Sequence, residues 1–275
     1  MTSTSTLRRM PFGFGFATGP RRGPDGNSFA SKDTPTSVET AVSFLSSEKQ
    51  IQALLPPDFK LWGEPIATVY VKTMKNIEWL AGRGYNVCGV SFPAVYAGKK
   101  APVHGHFLSV LWENKADPII TGREELGFAK IYCEIEEPRF LANSVICTTS
   151  WEGFSILELR VDGLQDTPLA GKSKLPPYSE SQGTLHYKYI PRTGEWGKSD
   201  VEYAVLTPKE TPNVSVTRRR YGKGSVSFAK ATWEDLPTQY MIVNTLQKLE
   251  IKEVLEAKVT ESTGGKDLSD QRILD

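Results

Sequence analysis

The chain holds little that would staple it, anchor it in a membrane or bind a metal by a known motif. Its three cysteines, Cys88, Cys133 and Cys147, form no CxxC pair. That argues against a disulfide framework and for a reducing compartment, so a cytoplasmic protein is expected. No apolar run reaches the roughly 18 to 20 residues that span a bilayer, and no membrane partner is expected. An excess of one charge is missing too: 33 Lys and Arg meet 32 Asp and Glu, for a net charge of +1. This balance gives no reason to expect nucleic acid as a partner. There is no GxSxG, HExxH or GxxxxGK[ST] frame, which removes the commonest hydrolase, zinc-protease and phosphate-loop readings. No repeat of 20 to 50 residues divides the chain.

What is present is a globular composition, 39% hydrophobic and 24% charged, over 275 residues. That length buries a sizeable core in one domain. A short helix is predicted near Glu48–Leu55, capped by Ser46 or Ser47, with Ile51, Leu54 and Leu55 on its apolar face and Pro56-Pro57 beyond it. β-Branched and aromatic residues then mark strands at Ile66–Val71, Asn86–Tyr96 and Phe107–Trp112. Ser144–Thr149 and Ser155–Val161 flank Trp151-Glu152-Gly153 as a hairpin. Further strands are expected at Thr184–Ile190, Val201–Leu206, Val214–Arg219 and Ser225–Ala229, and Gln239–Val259 fits both helix and strand periods. Many short strands with little helix indicate an antiparallel sandwich or barrel.

Three segments follow: an N-terminal arm over 1–36, a β domain over 37–260 and a loose tail over 261–275. The arm is rich in Ser, Gly, Pro and Arg, with no acid before Asp25. Its composition allows organelle targeting, while its prolines favour a flexible or pocket-covering arm over an amphipathic helix. Residues 164–183 form a polar loop whose length suggests a functional excursion.

The most informative stretch is Asp117-Pro118-Ile119-Ile120-Thr121-Gly122-Arg123-Glu124-Glu125-Leu126-Gly127-Phe128-Ala129-Lys130. It resembles the signature of acetoacetate decarboxylase-like enzymes: a strand, a Gly-Arg-Glu turn, an aromatic and then a Schiff-base lysine. The likeness runs upstream through Phe107–Trp112 to Cys88 and downstream through Tyr187–Pro191 and Trp233–Val259. It implies a mainly β fold, an antiparallel, cone-like closed β-barrel with a flanking sheet and few short helices, assembled as a homo-oligomer. It also implies that Lys130 attacks the carbonyl of a small-molecule keto substrate, with no cofactor, and that Ser91, Trp112 and Phe128 wall the pocket.

Such an attack needs a neutral amine. An ordinary lysine, with a pKa of roughly 10.4, is neutral in about one molecule in 2,500 at pH 7. Bringing the pKa to 7 takes about 4.6 kcal/mol of differential destabilisation, which desolvation or a nearby cation can supply. The chain departs from the family pattern in the company of this lysine. Ile131 stands where family decarboxylases carry a second lysine, so burial alone would have to lower the pKa. Ser91 stands at the family's pocket glutamate, and Ser37 near its pocket arginine. These departures point to a keto acid or polyketide-like compound other than acetoacetate, or to aldolase, dehydratase or cyclase chemistry. The other reading is a non-covalent metabolite-binding or cyclase-type protein that has lost decarboxylase activity.

An extended Lys130–Glu136 segment would place Lys130, Tyr132, Glu134 and Glu136 on one face. Glu134 must then point away, because a carboxylate beside the amine raises its pKa. His104 and His106 have the spacing of a strand-borne metal pair but lack a third ligand nearby in sequence, so no metal is expected. Arg218-Arg219-Arg220-Tyr221-Gly222-Lys223-Gly224 reads as a solvated turn between two strands.

Overall fold

The alternation of apolar and polar residues resolves into fifteen strands among the described residues of a computed structural model, which are 7–14, 17, 21–166 and 174–275. The first half holds β1 (Thr36–Leu45), β2 (Phe59–Leu61), β3 (Ile66–Ile77), β4 (Arg83–Tyr96) and β5 (Val103–Glu113). Short pieces follow: β6 (Lys130–Tyr132), β7 (Glu134–Ile135) and β8 (Arg139–Leu141). The hairpin of β9 (Ser144–Trp151) and β10 (Phe154–Gln165) turns at Glu152 and Gly153, both at positive φ. Next come β11 (Gly183–Pro191), β12 (Ser199–Pro208), β13 (Ser215–Phe228), β14 (Glu253–Thr263) and β15 (Arg272–Leu274). The helices are α1 (Glu48–Gln52), α2 (Ala116–Thr121) and α3 (Tyr240–Gln247). None of the described helices is long and apolar enough to cross a membrane.

All the strands join one sheet, whose main path is β15-β12-β11-β5-β4-β3-β1-β14-β13-β10-β9-β7. The expected closed barrel is not formed: the path ends in two short strands, β15 and β7, that do not pair with each other. Nor is the sheet wholly antiparallel. β5 pairs with β4 along one edge and splits its other edge between two parallel neighbours. β11 takes the first part (Thr184 opposite His106) and β6 the last (Lys130 opposite Leu111). This fork sets the position of Lys130.

The two faces of β3, β4 and β5 have different fates. One face, with Val69, Val71, Cys88, Val90, Val110 and Trp112, enters the main core against Val145, Cys147, Leu157, Leu159, Ala257 and Val243 of the strands and helix folded over it. On the other, Tyr85, Val87 and Leu111 pack with Ile77, Met74 and Phe128 beside a cavity.

Several local expectations are corrected. Residues 116–121 are helical rather than extended, and Gly122–Leu126 continues them as a π-helical turn. Residues 215–228 are one strand, not two strands about a turn. Gly222 and Gly224 are there for close packing instead: a Cβ on Gly224 would lie 2.5 Å from that of Ala257, and one on Gly222 would lie 2.4 Å from the Asp162 carbonyl. The arginines beside them are engaged, Arg218 with Asp166 at 3.0 Å and Arg220 with Glu261 at 3.1 Å. The ambiguous segment divides into α3 and β14. The tail is tied down in part, since β15 pairs with β12 and the Lys99 amide donates to the Asp275 carbonyl. His104 and His106 lie in β5, against Trp62 and Tyr178. Of the long polar loop, residues 167–173 lie outside the described residues, as do 1–6, 15, 16 and 18–20 of the arm.

Candidate active site

The site is built where β6 joins β5. The α2 helix and its π-helical turn bring the chain back to the sheet, and Gly127 closes the turn in the left-handed region at φ 82°. π-Helical turns of this kind are often found at functional positions. The Leu111 amide then donates to the Ala129 carbonyl at 3.0 Å, and the Arg123 guanidinium to the Lys130 carbonyl at 2.8 Å. Lys130 therefore starts its strand with its backbone held from two sides.

Its side chain is 1% exposed. Nζ lies 2.8 Å from Oε1 of Glu113, donates to the Pro118 carbonyl at 2.9 Å and sits 5.0 Å from the centre of the Phe128 ring. Gly122 makes room for it: a Cβ there would come within 2.5 to 2.6 Å of Cδ, Cε and Nζ. Burial pulls the Lys130 pKa down to about 8, against the opposing pull of Glu113 and with help from Arg21. Glu113 is equally buried, and burial pushes its pKa up even though Lys130 opposes the shift. Both shifts favour an amine and a carboxylic acid over an ammonium and a carboxylate. Glu113 Oε2 meets no hydrogen-bonding partner among the described residues.

Above this pair lies a cavity of about 420 Å³, into which Tyr70, Tyr85, Leu111, Glu113, Phe128 and Lys130 project. Gly89 leaves space for the Tyr70 ring, since a Cβ there would fall 2.4 Å from it. Burial raises the pKa of both tyrosine hydroxyls, so they stay protonated. The arm supplies another wall through Arg21, Phe29, Ser31 and Pro35. Arg21 packs over Trp79 at 5.3 Å, and its Nε is buried without a hydrogen-bonding partner among the described residues. Ser31 anchors this part of the arm by donating to Glu78 at 3.1 Å. Behind Phe128, His186 is wholly buried, bonded to Thr207 at 2.9 Å; burial and then Lys130 lower its pKa to about 3. It is therefore a neutral support for the aromatic ring.

Lys130 and Phe128 both line the cavity. Trp112 does not: strand alternation turns it into the main core, where its Nε1 donates to Gln239 at 2.7 Å. Ser91 shares the cavity-side parity of Tyr85 and Val87 on β4, but it stands beyond the lining residues, opposite Thr68 and Leu108. Ser37 does line the cavity. The extended face expected over Lys130–Glu136 is interrupted at Cys133. Tyr132 is 44% exposed, while Glu134 and Glu136 accept from Ser150 and Thr148. The carboxyl group beside the lysine is Glu113 instead. Nothing in the sequence singles it out at the end of an apolar strand, and only the parallel pairing of β5 with β6 brings it beside Lys130. Arg21 was equally hidden, in an arm with no periodic pattern. From outside the sheet it contributes to lowering the Lys130 pKa. Among the described residues no three His, Cys, Asp or Glu side chains converge on a metal-sized site.

Fold and site together define a class: one open, mainly antiparallel sheet with an amine and a carboxyl group buried under a cavity sized for a small molecule. The family model for acetoacetate decarboxylase (ADC) matches residues 20–265, and the chain belongs to this family of enzymes. No curated protein matches it. Among solved structures, it is similar to an acetoacetate decarboxylase-like enzyme from Sphingomonas wittichii RW1, at 16% identity and a TM-score of 0.63, over 90% of this chain and 95% of that one. It is similar to the acetoacetate decarboxylase of Legionella pneumophila subsp. pneumophila str. Philadelphia 1, at 17% identity and a TM-score of 0.61, over 92% of each chain. The enduracididine biosynthesis enzyme MppR complexed with pyruvate gives 16% identity and a TM-score of 0.58, over 92% of this chain and 95% of that one. At these identities the likeness is one of fold.

Proposed function

We propose that this protein is a cofactor-independent Schiff-base enzyme of the lyase type, acting on a small keto acid or polyketide-like carbonyl compound through Lys130. The observation that carries the reading is the amino group of Lys130, buried under a cavity and depressed to a pKa of about 8. At pH 7 that leaves about one molecule in ten with a neutral amine, against about one in 2,500 for an ordinary lysine. The nitrogen lone pair attacks the substrate carbonyl carbon, the oxygen leaves as water, and the resulting iminium withdraws electrons from the neighbouring carbon. Arg21, a half-buried cation on the cavity wall whose Nε–H has no partner among the described residues, is suited to an anionic group on the substrate. Family membership supports a homo-oligomeric assembly of such sites.

The test is reductive trapping. Borohydride added with pyruvate or acetoacetate should fix one adduct on Lys130, seen by intact mass and peptide mapping and absent in Lys130→Ala. An unmodified wild-type chain, or the same adduct in the variant, overturns the reading. The pH dependence has a definite sign. The amine is reactive when deprotonated, so initial trapping should rise about tenfold per unit below pH 8 and level off above it.

One observation favours a second reading, non-covalent binding: the contact of Lys130 with Glu113 also suits an ion pair that would hold the amine charged. In that case ligand binds without an adduct, and Lys130→Met retains binding.

A further inference from the structure

Glu113 matches nothing that the family pattern placed in this site, yet it is the group nearest to the proposed nucleophile. We propose that Glu113 is the general acid–base of the reaction, moving protons to the departing carbonyl oxygen and from the carbon next to the iminium. The site would then serve enolisable ketones and 2-oxo acids. This assignment rests on the Schiff-base reading of Lys130.

Glu113 ends β5, with Val87 of β4 opposite it, and its carbonyl accepts from the Cys133 amide at 3.2 Å. The side chain is thus delivered from a rigid strand. Oε1 lies 2.8 Å from Lys130 Nζ, and Oε2 has no hydrogen-bonding partner among the described residues although the side chain lines the cavity. The carbon next to the iminium carbon is only two bonds from Nζ. A carboxyl group in contact with Nζ is therefore within reach of its hydrogens. Imine formation also changes the local count of donors. An ammonium has three N–H groups and an iminium has one, so Pro118 and Glu113 can no longer both be satisfied by Nζ.

The other titratable groups around the cavity are engaged or unsuited. Glu39 faces Lys72 at 3.8 Å, Glu78 accepts from Ser31, and Asp267 accepts from Ser28. Tyr70 and Tyr85 are held protonated by burial, and His186, bonded to Thr207 through Nε2, stands behind the Phe128 ring and is not among the residues lining the cavity. Among the described residues, Glu113 alone combines contact with the amine and an oxygen without a hydrogen-bonding partner.

The proton inventory closes. The neutral amine adds to the carbonyl, and one of its protons moves to the oxygen to give a carbinolamine. Protonated Glu113 gives its proton to that hydroxyl, which leaves as water, so the products are an iminium and a carboxylate. The carboxylate takes a proton from the adjacent carbon; the C–H pair becomes the C=C bond of an enamine, and the C=N pair returns to nitrogen. Glu113 is again protonated and ready for the reverse transfer, or for the product of enamine attack on a second carbonyl compound. A β-keto acid fits less well, because its carboxylate would sit beside another one and loss of CO2 needs no base at the adjacent carbon.

The probe is pyruvate in D2O, with loss of the methyl signal followed by proton NMR and borohydride trapping run in parallel. Wild type should exchange through Lys130, and Glu113→Gln should slow exchange at least 100-fold and slow formation of the Lys130 adduct by less, the adduct still accumulating on long incubation. Glu113→Asp, which draws the carboxyl group back by one methylene, should slow exchange at least tenfold and slow adduct formation by less. It serves as the test if the glutamine variant does not fold. Undiminished exchange in a variant that forms the adduct overturns the assignment to Glu113, and so does a wild-type adduct without exchange. Absence of any wild-type adduct is a different result, because it removes the Schiff-base reading itself.

Discussion

Gly122 shows how a single atom sets the state of the site. Its backbone is helical, at φ −66° and ψ −41°, so alanine fits the conformation and should add about 1 kcal/mol of helix propensity. The new methyl group would nevertheless overlap the end of the Lys130 side chain. Gly122→Ala is expected to fold with an unchanged or higher melting temperature and to lose at least tenfold in borohydride adduct. A matched adduct yield would show that the lysine does not need this space. At this scale the sequence was informative where a residue had a motif around it. Lys130 and Phe128 could be found because an aromatic and a lysine stand two apart after a Gly-Arg-Glu stretch. Trp112 was misplaced because spacing cannot tell which face of β5 it occupies, and one step along the strand separates the core from the cavity. Glu113 could not be found, since its meaning depends on a partner seventeen residues away in sequence.

Among the elements, those defined by local chemistry were the legible ones. The β9–β10 hairpin, α1 and most central strands follow from turn residues and β-branched runs. The α2 helix and its π-helical turn did not, because six residues with a proline carry little periodicity. Glycine was the other source of error. In β13 it marks a close crossing rather than a reversal of the chain, and this too can be tested. A valine at 224 would drive its branched side chain into Ala257 and Val42. Gly224→Val is expected to cost about 1 to 3 kcal/mol through overpacking, read as a lower urea midpoint. A glycine in a tolerant turn would give almost no change. That the sheet stays open was beyond the reach of any local pattern, for it turns on which distant strands pair, as where β5 divides one edge between β6 and β11.

At the scale of the whole molecule, the cavity belongs to two kinds of structure. Its base is sheet, and part of its wall is the arm that carries Arg21 and Phe29. Removing residues 1–36 takes away a cation near Lys130 and opens the amine to water. Both changes raise its pKa, so the pH at which trapping levels off should move upward from about 8 toward the ordinary lysine value of 10.5. A truncated protein with an unshifted profile would show that the arm leaves the amine's environment untouched.

The arm's place in the wall has one more consequence. The fifteen strands must preserve their register to stay folded, which restrains every residue that the sheet lends to the cavity. Arg21 and Phe29 are under no such restraint, since they precede β1 and contribute nothing to the ladder. Chimaeras that graft a different leader onto the same sheet should therefore exchange one preferred carbonyl compound for another while melting at nearly the same temperature.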